Sequence, residues 1–268
     1  MIRAWLDMSP AGIFLVLIGL YFGVTLLLAA ITFRRPFAQP TQSLTGVVAP
    51  FFNAVAILFA LLTGFLAADV AERGRQAYRV VHTEAGELRN IHTLSVASVS
   101  DMRTIRTALK AYVTSVVADE WPAMEGTRVS PSATAAYDNL LREVSIPSIA
   151  KASGPAVQSA LLTAALHVGT ARDDRLALSS DHTNDLKWLV VIVLGLITQV
   201  AIALVHLDKP RAFFASLIVF STAAVVALGI LALQEYPFDG AFQVSPEPIK
   251  ALQSLSDLAL SCAPPRSA

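Results

Sequence analysis

Ile57, Leu61 and Phe65 recur at every fourth position of an uncharged stretch, which places them on one face of a helix. Asn53 lies one turn before this stripe and Asp69 one turn after it. An apolar stripe of this kind can close a water-filled path by dewetting, and the two polar residues would then be polar pore residues. The same stripe can equally face lipid, and the sequence alone leaves both interpretations open.

A few other polar residues interrupt the uncharged stretches: Thr63, Thr198, Gln199, Ser221 and Thr222. Lipid cannot satisfy a polar group, so such residues usually face other helices or a hydrated path. Hydrogen bonding between helices is the simpler interpretation of these residues, and a role in a conduction path is the more specific one.

Patterns typical of enzymes are absent from the sequence. It has no phosphate-binding glycine loop, no dinucleotide-binding glycine pattern, no His-Glu-x-x-His pair and no Gly-x-Ser-x-Gly elbow. His82 and His92 lie ten residues apart on one predicted helix, roughly 15 Å, which is too far for one metal ion. A group of acidic residues precedes the third uncharged stretch: Asp173, Asp174, Asp181 and Asp185. A solvated helix face explains this group better than a cation site, so we predict no enzyme, no metal and no cofactor.

The composition indicates a membrane protein. Of 268 residues, 54% are hydrophobic and only 15% are charged, whereas soluble domains carry about 25% charged residues. Lys+Arg and Asp+Glu both number 20, so no basic surface for nucleic acid is expected. Four uncharged runs are long enough to span the hydrocarbon core: residues 11–33, 47–68, 188–207 and 212–234. We predict an all-α, four-span integral membrane protein.

Residues 71–186 separate the second and third spans and predict a helical soluble domain, inserted between them. Acidic and basic residues are nearly balanced there, and Tyr78, Val81, Ala85 and Leu88 follow helical spacing. Because no proline intervenes, we predict that the second span continues as one long helix into this domain. A second run of helical spacing covers residues 99–116.

Proline and glycine punctuate the rest of this domain. The dipeptides Trp121-Pro122 and Glu125-Gly126 predict the end of the second helix. Ser130-Pro131 predicts the N-terminus of a helix that stops before Pro147, and Ser153-Gly154-Pro155 predicts the start of another.

The predicted organisation has four parts. Residues 1–70 form the first transmembrane hairpin, 71–186 the helical domain, 187–235 the second hairpin and 236–268 a C-terminal segment. This segment begins as a helix from Ser245-Pro246, and its last residues, with the single Cys262, are predicted to be disordered.

The even number of spans places both termini on one side of the membrane. Cations near the spans favour a cytoplasmic side for the termini and the helical domain. The two short loops carry contrary charges, at Arg34, Arg35, Lys209 and Arg211, so charge alone favours this topology weakly.

Several motifs resemble the bestrophin channels. Residues 235–240, Glu-Tyr-Pro-Phe-Asp-Gly, resemble the bestrophin Asn-Pro-Phe-Gly segment after the last span, with Pro237, Phe238, Asp239 and Gly240 as the matching positions. Residues 65–73 resemble the bestrophin pore helix where it leaves the membrane. A closer resemblance is to a bacterial bestrophin-like family of unknown function, and it covers nearly the whole chain. The motifs that carry it are residues 111–124, 237–240 and 244–248.

This resemblance implies a homopentamer in the bacterial inner membrane. The second spans would surround a central axis, with both termini and a helical vestibule in the cytoplasm. The apolar neck of bestrophins would then fall on Ile57, Leu61 and Phe65. The chain departs from the family pattern at Ala241-Phe242-Gln243-Val244, where bestrophins carry an acidic calcium clasp, so calcium gating does not carry over.

A passive ion channel is the leading functional prediction. Its implied partners are the lipid bilayer, further copies of the chain and inorganic ions of unspecified selectivity. The alternative is a membrane-anchored sensor or scaffold whose helical domain binds a partner. A proton-coupled transporter using Asp69 is a third option, although inverted repeats are not evident.

Overall fold

The computed structural model of the chain describes residues 2–33, 49–98, 100–126, 128–207, 209–240 and 242–261. Every regular element in these ranges is helical. In chain order they are α1 (Ile2–Leu6), α2 (Pro10–Phe33), α3 (Ala49–Ala97), α4 (Arg103–Ser115), a π-helical turn (Val116–Glu120), α5 (Trp121–Met124), α6 (Pro131–Val144), α7 (Pro147–Ser153), α8 (Pro155–Ser180), α9 (Asp185–Val205), α10 (Pro210–Leu233) and α11 (Glu247–Ser261).

Four stretches among the described residues are long and apolar enough to cross a membrane: Pro10–Phe33, Phe52–Ala97, Pro155–Val205 and Pro210–Leu233. The apolar part of the third stretch is α9. This confirms the all-α prediction and the four apolar helices. Residues 47 and 48 of the predicted second span lie outside the described residues.

The described residues divide into two compact units. The first unit holds the N-terminal residues up to Glu72 together with His182–Glu235. In it α2 packs against α9 and α10, and α1 packs on α2 and α9. Apolar and aromatic side chains fill the contacts, as where Trp5 meets Trp188 edge-on at 5.5 Å between ring centroids.

The second unit comprises Arg73–Asp181, Tyr236–Asp239 and the C-terminal residues from Gln243. α4 packs against α6 and α11, and α8 packs against α6 and α7. Buried aliphatic side chains of these helices form its core, among them Leu109, Leu140 and Leu161. Ser130 caps α6 by accepting a hydrogen bond from the Ala133 amide, and Pro131 follows it as the first helical residue, as predicted.

The long helix predicted from the second span is confirmed, since α3 runs unbroken from Ala49 to Ala97. One position of its predicted apolar face is wrong. The Tyr78 side chain is 56% exposed, and its ring centroid lies 4.2 Å from that of His82. Ala77 occupies the buried position beside Val81 instead. A phenol ring can cover polar surface while its hydroxyl stays in water, so tyrosine is a weak indicator of a core position.

The predicted end of the second helix is confirmed at Glu125-Gly126, but the Trp121-Pro122 part of the prediction is wrong. A π-helical turn, Val116–Glu120, leads directly into α5, and Pro122 lies in the first turn of α5. Proline is tolerated there because the first amides of a helix have no carbonyl partner within the helix. The chain leaves the helix at Glu125-Gly126. The short helices α1 and α7 were not predicted.

The C-terminal segment forms α11 from Glu247, close to the predicted start, and the Ser245 hydroxyl accepts a hydrogen bond from the Glu247 amide. The prediction of disorder concerns residues 262–268, which include Cys262 and lie outside the described residues.

Candidate functional site

The predicted neck residues lie together on an exposed face of α3. Ile57, Leu61 and Phe65 are 59%, 53% and 65% exposed, and Asn53 is exposed in the same stripe. The opposite face of α3 is occupied, because Leu66 is buried and Phe59 packs on Phe220 of α10 at 5.5 Å. The arrangement therefore leaves one apolar face with a polar end directed away from the first unit.

The membrane portion of α3 is the least covered of the four candidate spans. Only 11% of its most apolar 18-residue segment is buried. The corresponding share is 22% for α2, 44% for the stretch containing α9 and 39% for α10. A spanning helix with so little contact within its own chain must meet either lipid or further protein.

Asp69 is paired within the first unit. Its carboxylate binds the Lys187 ammonium of α9, and the two side chains remain 41% and 56% exposed. This pair could not be predicted from the sequence, because the two residues are far apart in the chain. A carboxylate that already has a cation partner is a weaker candidate for a proton carrier than an unpaired one.

The predicted polar residues of the third and fourth spans meet in the interior of the first unit. Gln199 Nε2 donates to the Tyr21 carbonyl at 2.9 Å and to Ser221 Oγ at 2.8 Å. Thr25 Oγ1 lies 3.1 Å from Ser221 Oγ. All four residues are buried. For Gln199 and Ser221 the structure therefore supports hydrogen bonding between helices.

Other polar residues of the spans behave differently. Thr198 and Thr222 donate to carbonyls of their own helices, at 2.8 Å each. Thr63 Oγ1 is buried and has no hydrogen-bond partner among the residues that the structure describes.

Three residues of the post-membrane motif, Pro237, Phe238 and Asp239, lie in the second unit, and Gly240 belongs to the first. Phe238 is buried and meets Trp121 edge-on at 5.8 Å, and the Pro237 carbonyl accepts from the Val244 amide at 2.7 Å. Gly240 has φ of 83°, a left-handed conformation that glycine adopts without strain. Asp239 is exposed. No group of three or more metal-ligating side chains occurs among the described residues, Asp239 included.

A buried carboxylate that sequence reasoning missed lies just before this motif. Glu235 is 1% exposed and accepts hydrogen bonds from the Thr183 amide at 2.7 Å, the Thr183 hydroxyl at 3.0 Å and the Trp188 indole at 3.3 Å. It ties the segment that follows α10 to the start of α9 within the first unit.

The second unit contains a buried network of charged residues that the sequence analysis also missed. Arg175 Nε donates to Glu84 at 2.7 Å, and its Nη2 donates to Glu120 at 2.8 Å. Arg172 Nη2 donates to Glu120 at 2.5 Å and to the Thr134 hydroxyl at 2.8 Å. The network links α3, the π-helical turn, α6 and α8, so it fixes four elements of this unit.

Spacing could have revealed these arginines. Leu161, Ala164, Val168, Arg172 and Arg175 follow one another at intervals of three or four residues, on the buried face of α8. Glu120 carries the same signal, because it follows Leu109, Val113 and Val116 at intervals of three or four residues.

Burial and charge set the proton affinities in this network. Burial, with the negative charge of Glu84 as a second cause, raises the pKa of the Tyr112 phenol well above its usual value. Burial by itself would lower the pKa of Arg175, but the adjacent Glu84 raises it above the usual arginine value. Tyr112 therefore stays a hydrogen-bond donor, as shown by its 2.7 Å contact to Glu84 Oε1, and Arg175 stays charged.

The fold and the exposed α3 face define an all-helical membrane protein with four apolar helices. A profile of the Bestrophin-like domain matches residues 19–249, and the chain belongs to this family. No curated protein matches the sequence.

Solved structures with this fold include a bacterial bestrophin homologue from Klebsiella pneumoniae. One crystal structure of a single-substitution variant is 13% identical, with a TM-score of 0.72 over 92% of this chain and 99% of that chain. Another variant is 15% identical, with a TM-score of 0.70 over 95% and 100%. A structure of the homologue phased with zinc has a TM-score of 0.66 at 12% identity over 92% and 99%. At these identities the likeness concerns the fold.

Proposed function

We propose that the protein is a passive ion channel in the bacterial inner membrane, in which α3 from several copies surrounds a pore. The observation that carries this proposal is the single exposed face of α3, on which Asn53 stands in line with Ile57, Leu61 and Phe65. A carboxamide in the charge-free part of a span is unfavourable against lipid, so this face suits a hydrated axis better than hydrocarbon.

Membership of the bestrophin-like family supports the same proposal, and with it five copies around the axis. Rings of Ile57, Leu61 and Phe65 would form an apolar neck that controls hydration of the pore. The second unit and both termini would lie in the cytoplasm. Asp69 has a lesser role in this proposal, because Lys187 already pairs with it.

Recordings from planar bilayers test the channel proposal. We expect purified wild-type protein to conduct, and Phe65→Ala to change conductance or open probability several-fold because the neck becomes wider and wetter. Val219→Ala is the control, since Val219 is 70% exposed and lies on α10, outside the stripe on α3. Wild-type protein that is intact and oligomeric but electrically silent would contradict the proposal.

Two further measurements test the number of copies and the membrane topology in the channel proposal. The mass of the protein in detergent should equal five chains plus bound detergent, whereas one or two chains would contradict a pore around α3. Reporter fusions placed within residues 73–181 should report the cytoplasm. A periplasmic result would favour the sensor or scaffold instead.

A further inference from the structure

A groove in the first unit lies between α3 and α9. It encloses a cavity of about 510 Å³. Its lining residues include Leu62, Phe65 and Asp69 of α3 and Leu186, Lys187 and Val190 of α9. The α3 part of the lining, from Leu62 to Asp69, covers about 10 Å along the helix. The groove has one polar end, at the Asp69–Lys187 pair, and apolar walls elsewhere.

The polar end coincides with the end of the charge-free part of both helices. Asp69 is the first charged residue after residues 52–68 of α3, and Lys187 is the last one before residues 188–205 of α9. Charged residues at such positions lie at the headgroup level of a bilayer, and the apolar residues beyond them lie in hydrocarbon. The groove therefore opens at headgroup depth and continues at acyl-chain depth.

We propose that this groove binds one phospholipid with a zwitterionic headgroup. The lipid phosphate contacts the Lys187 ammonium, the headgroup ammonium contacts the Asp69 carboxylate, and an acyl chain lies along Leu62 and Val190. The ion pair need not break, because a lysine ammonium has three donors and a carboxylate accepts several hydrogen bonds. Both side chains keep exposed surface for these contacts.

Charge complementarity selects this occupant. The groove carries one charge of each sign, so it matches both charges of a zwitterion. An anionic headgroup would match Lys187 and be repelled by Asp69. A second copy of the chain laid over the groove would remove the ion pair from solvent, and the desolvation of two charges is costly. The apolar wall at acyl-chain depth, where Val190 is 47% exposed, suits an acyl chain.

Native mass spectrometry of the full-length protein tests the proposal. The protein is exchanged into micelles that contain equal amounts of phosphatidylethanolamine and phosphatidylglycerol. We expect wild type to retain a single phosphatidylethanolamine per chain in preference to phosphatidylglycerol. Equal retention of both lipids, or retention of neither, would overturn the proposal without any variant being needed.

Charge variants locate the site. Lys187→Gln should lower phosphatidylethanolamine retention several-fold, and Asp69→Asn should shift the preference toward phosphatidylglycerol, because the groove then carries a net positive charge. Lys209→Gln is the matched control, since this exposed lysine lies beyond the other end of α9 and should leave retention unchanged. An unchanged preference in both groove variants would overturn the proposal. Neither readout involves conduction, so this test and that of the channel proposal fail separately.

A cross-linking measurement addresses a protein occupant. Val190→Cys in a Cys262→Ser background places one thiol in the groove. We expect this thiol to react with a lipid-soluble maleimide and to form no covalent link between chains. Efficient cross-linking of Val190→Cys between copies would show that protein covers the groove, and would also overturn the proposal.

Discussion

Arg175 and Glu84 form a fully buried ion pair, in which Arg175 Nε donates to Glu84 Oε2 at 2.7 Å and both side chains have no exposed surface. A second carboxylate, Glu120, accepts from the same guanidinium. The Trp121 ring lies 5.3 Å from the guanidinium carbon, a distance suited to a cation–π contact. Charges this deeply buried are tolerated only when each one keeps its partners.

Removing the guanidinium should therefore destabilise the second unit strongly. We expect Arg175→Met to lower the free energy of unfolding by about 3–5 kcal/mol, because two carboxylates lose a buried partner. Arg103→Met is the control, since Arg103 pairs with Asp101 at the surface and both remain largely exposed. Thermal unfolding in detergent, followed by circular dichroism, measures both variants. Equal losses for the two variants would contradict a special role for the buried pair.

The phenol of Tyr112 gives the same network a pH dependence. Its pKa is raised in the folded protein, from an ordinary value of 10.0, by burial first and by the charge of Glu84 second. Above about pH 10 the unfolded chain loses this proton while the folded chain keeps it. The contribution of Tyr112 is therefore complete below pH 10 and is lost as the pH rises beyond it.

We expect wild type to lose thermal stability above pH 10 more steeply than Tyr112→Phe. Tyr78→Phe, which removes an exposed phenol, is the control. Melting temperatures measured at a series of alkaline pH values test this prediction. A Tyr112→Phe curve parallel to that of wild type would contradict it.

The sequence sufficed for the parts of the fold that depend on local composition and periodicity. Uncharged runs identified the four apolar helices, Ser130-Pro131 identified the start of α6, and the spacing of Ile57, Leu61 and Phe65 identified the exposed face of α3. Each of these signals lies within one continuous stretch of the chain, where side-chain pattern determines local structure.

The missed features involve residues that are distant in the chain. Asp69 meets Lys187, and Glu84 meets Arg175, only after the helices have packed. The pattern of the sequence places Asp69 at the end of a span and Arg175 on a helical face, but it does not show which residue either of them meets. The π-helical turn at Val116–Glu120 was missed for another reason, because it changes the helical period on which the prediction depended.

The buried amide of Gln199 should stabilise the first unit by a modest amount. We expect Gln199→Leu to cost about 0.6–1.7 kcal/mol, the range measured for hydrogen bonds between membrane helices. The loss is limited because Thr25 and Ser221 can still hydrogen-bond to each other. Thr222→Val is the control, since Thr222 is exposed and bonds only to the Ile218 carbonyl of its own helix. The stability of wild type and both variants is compared by unfolding in mixed micelles with a rising fraction of denaturing detergent. A gain in stability for Gln199→Leu would contradict the prediction.

Two glycines in the first unit permit close packing of the membrane helices. A Cβ atom at Gly195 would overlap the Tyr21 hydroxyl, and one at Gly229 would overlap the Phe14 ring. We expect Gly195→Ala and Gly229→Ala each to lower the free energy of unfolding by about 1–3 kcal/mol, because a well-packed interior accommodates an added methyl group only by distortion.

Gly19→Ala and Gly23→Ala are matched controls on α2, where a Cβ would meet nothing within 4 Å. These controls should be neutral or slightly stabilising, because alanine has the higher helix propensity. Unfolding of all four variants in mixed micelles decides the question, and losses at Gly19 or Gly23 as large as those at Gly195 and Gly229 would show that close packing is not the cause.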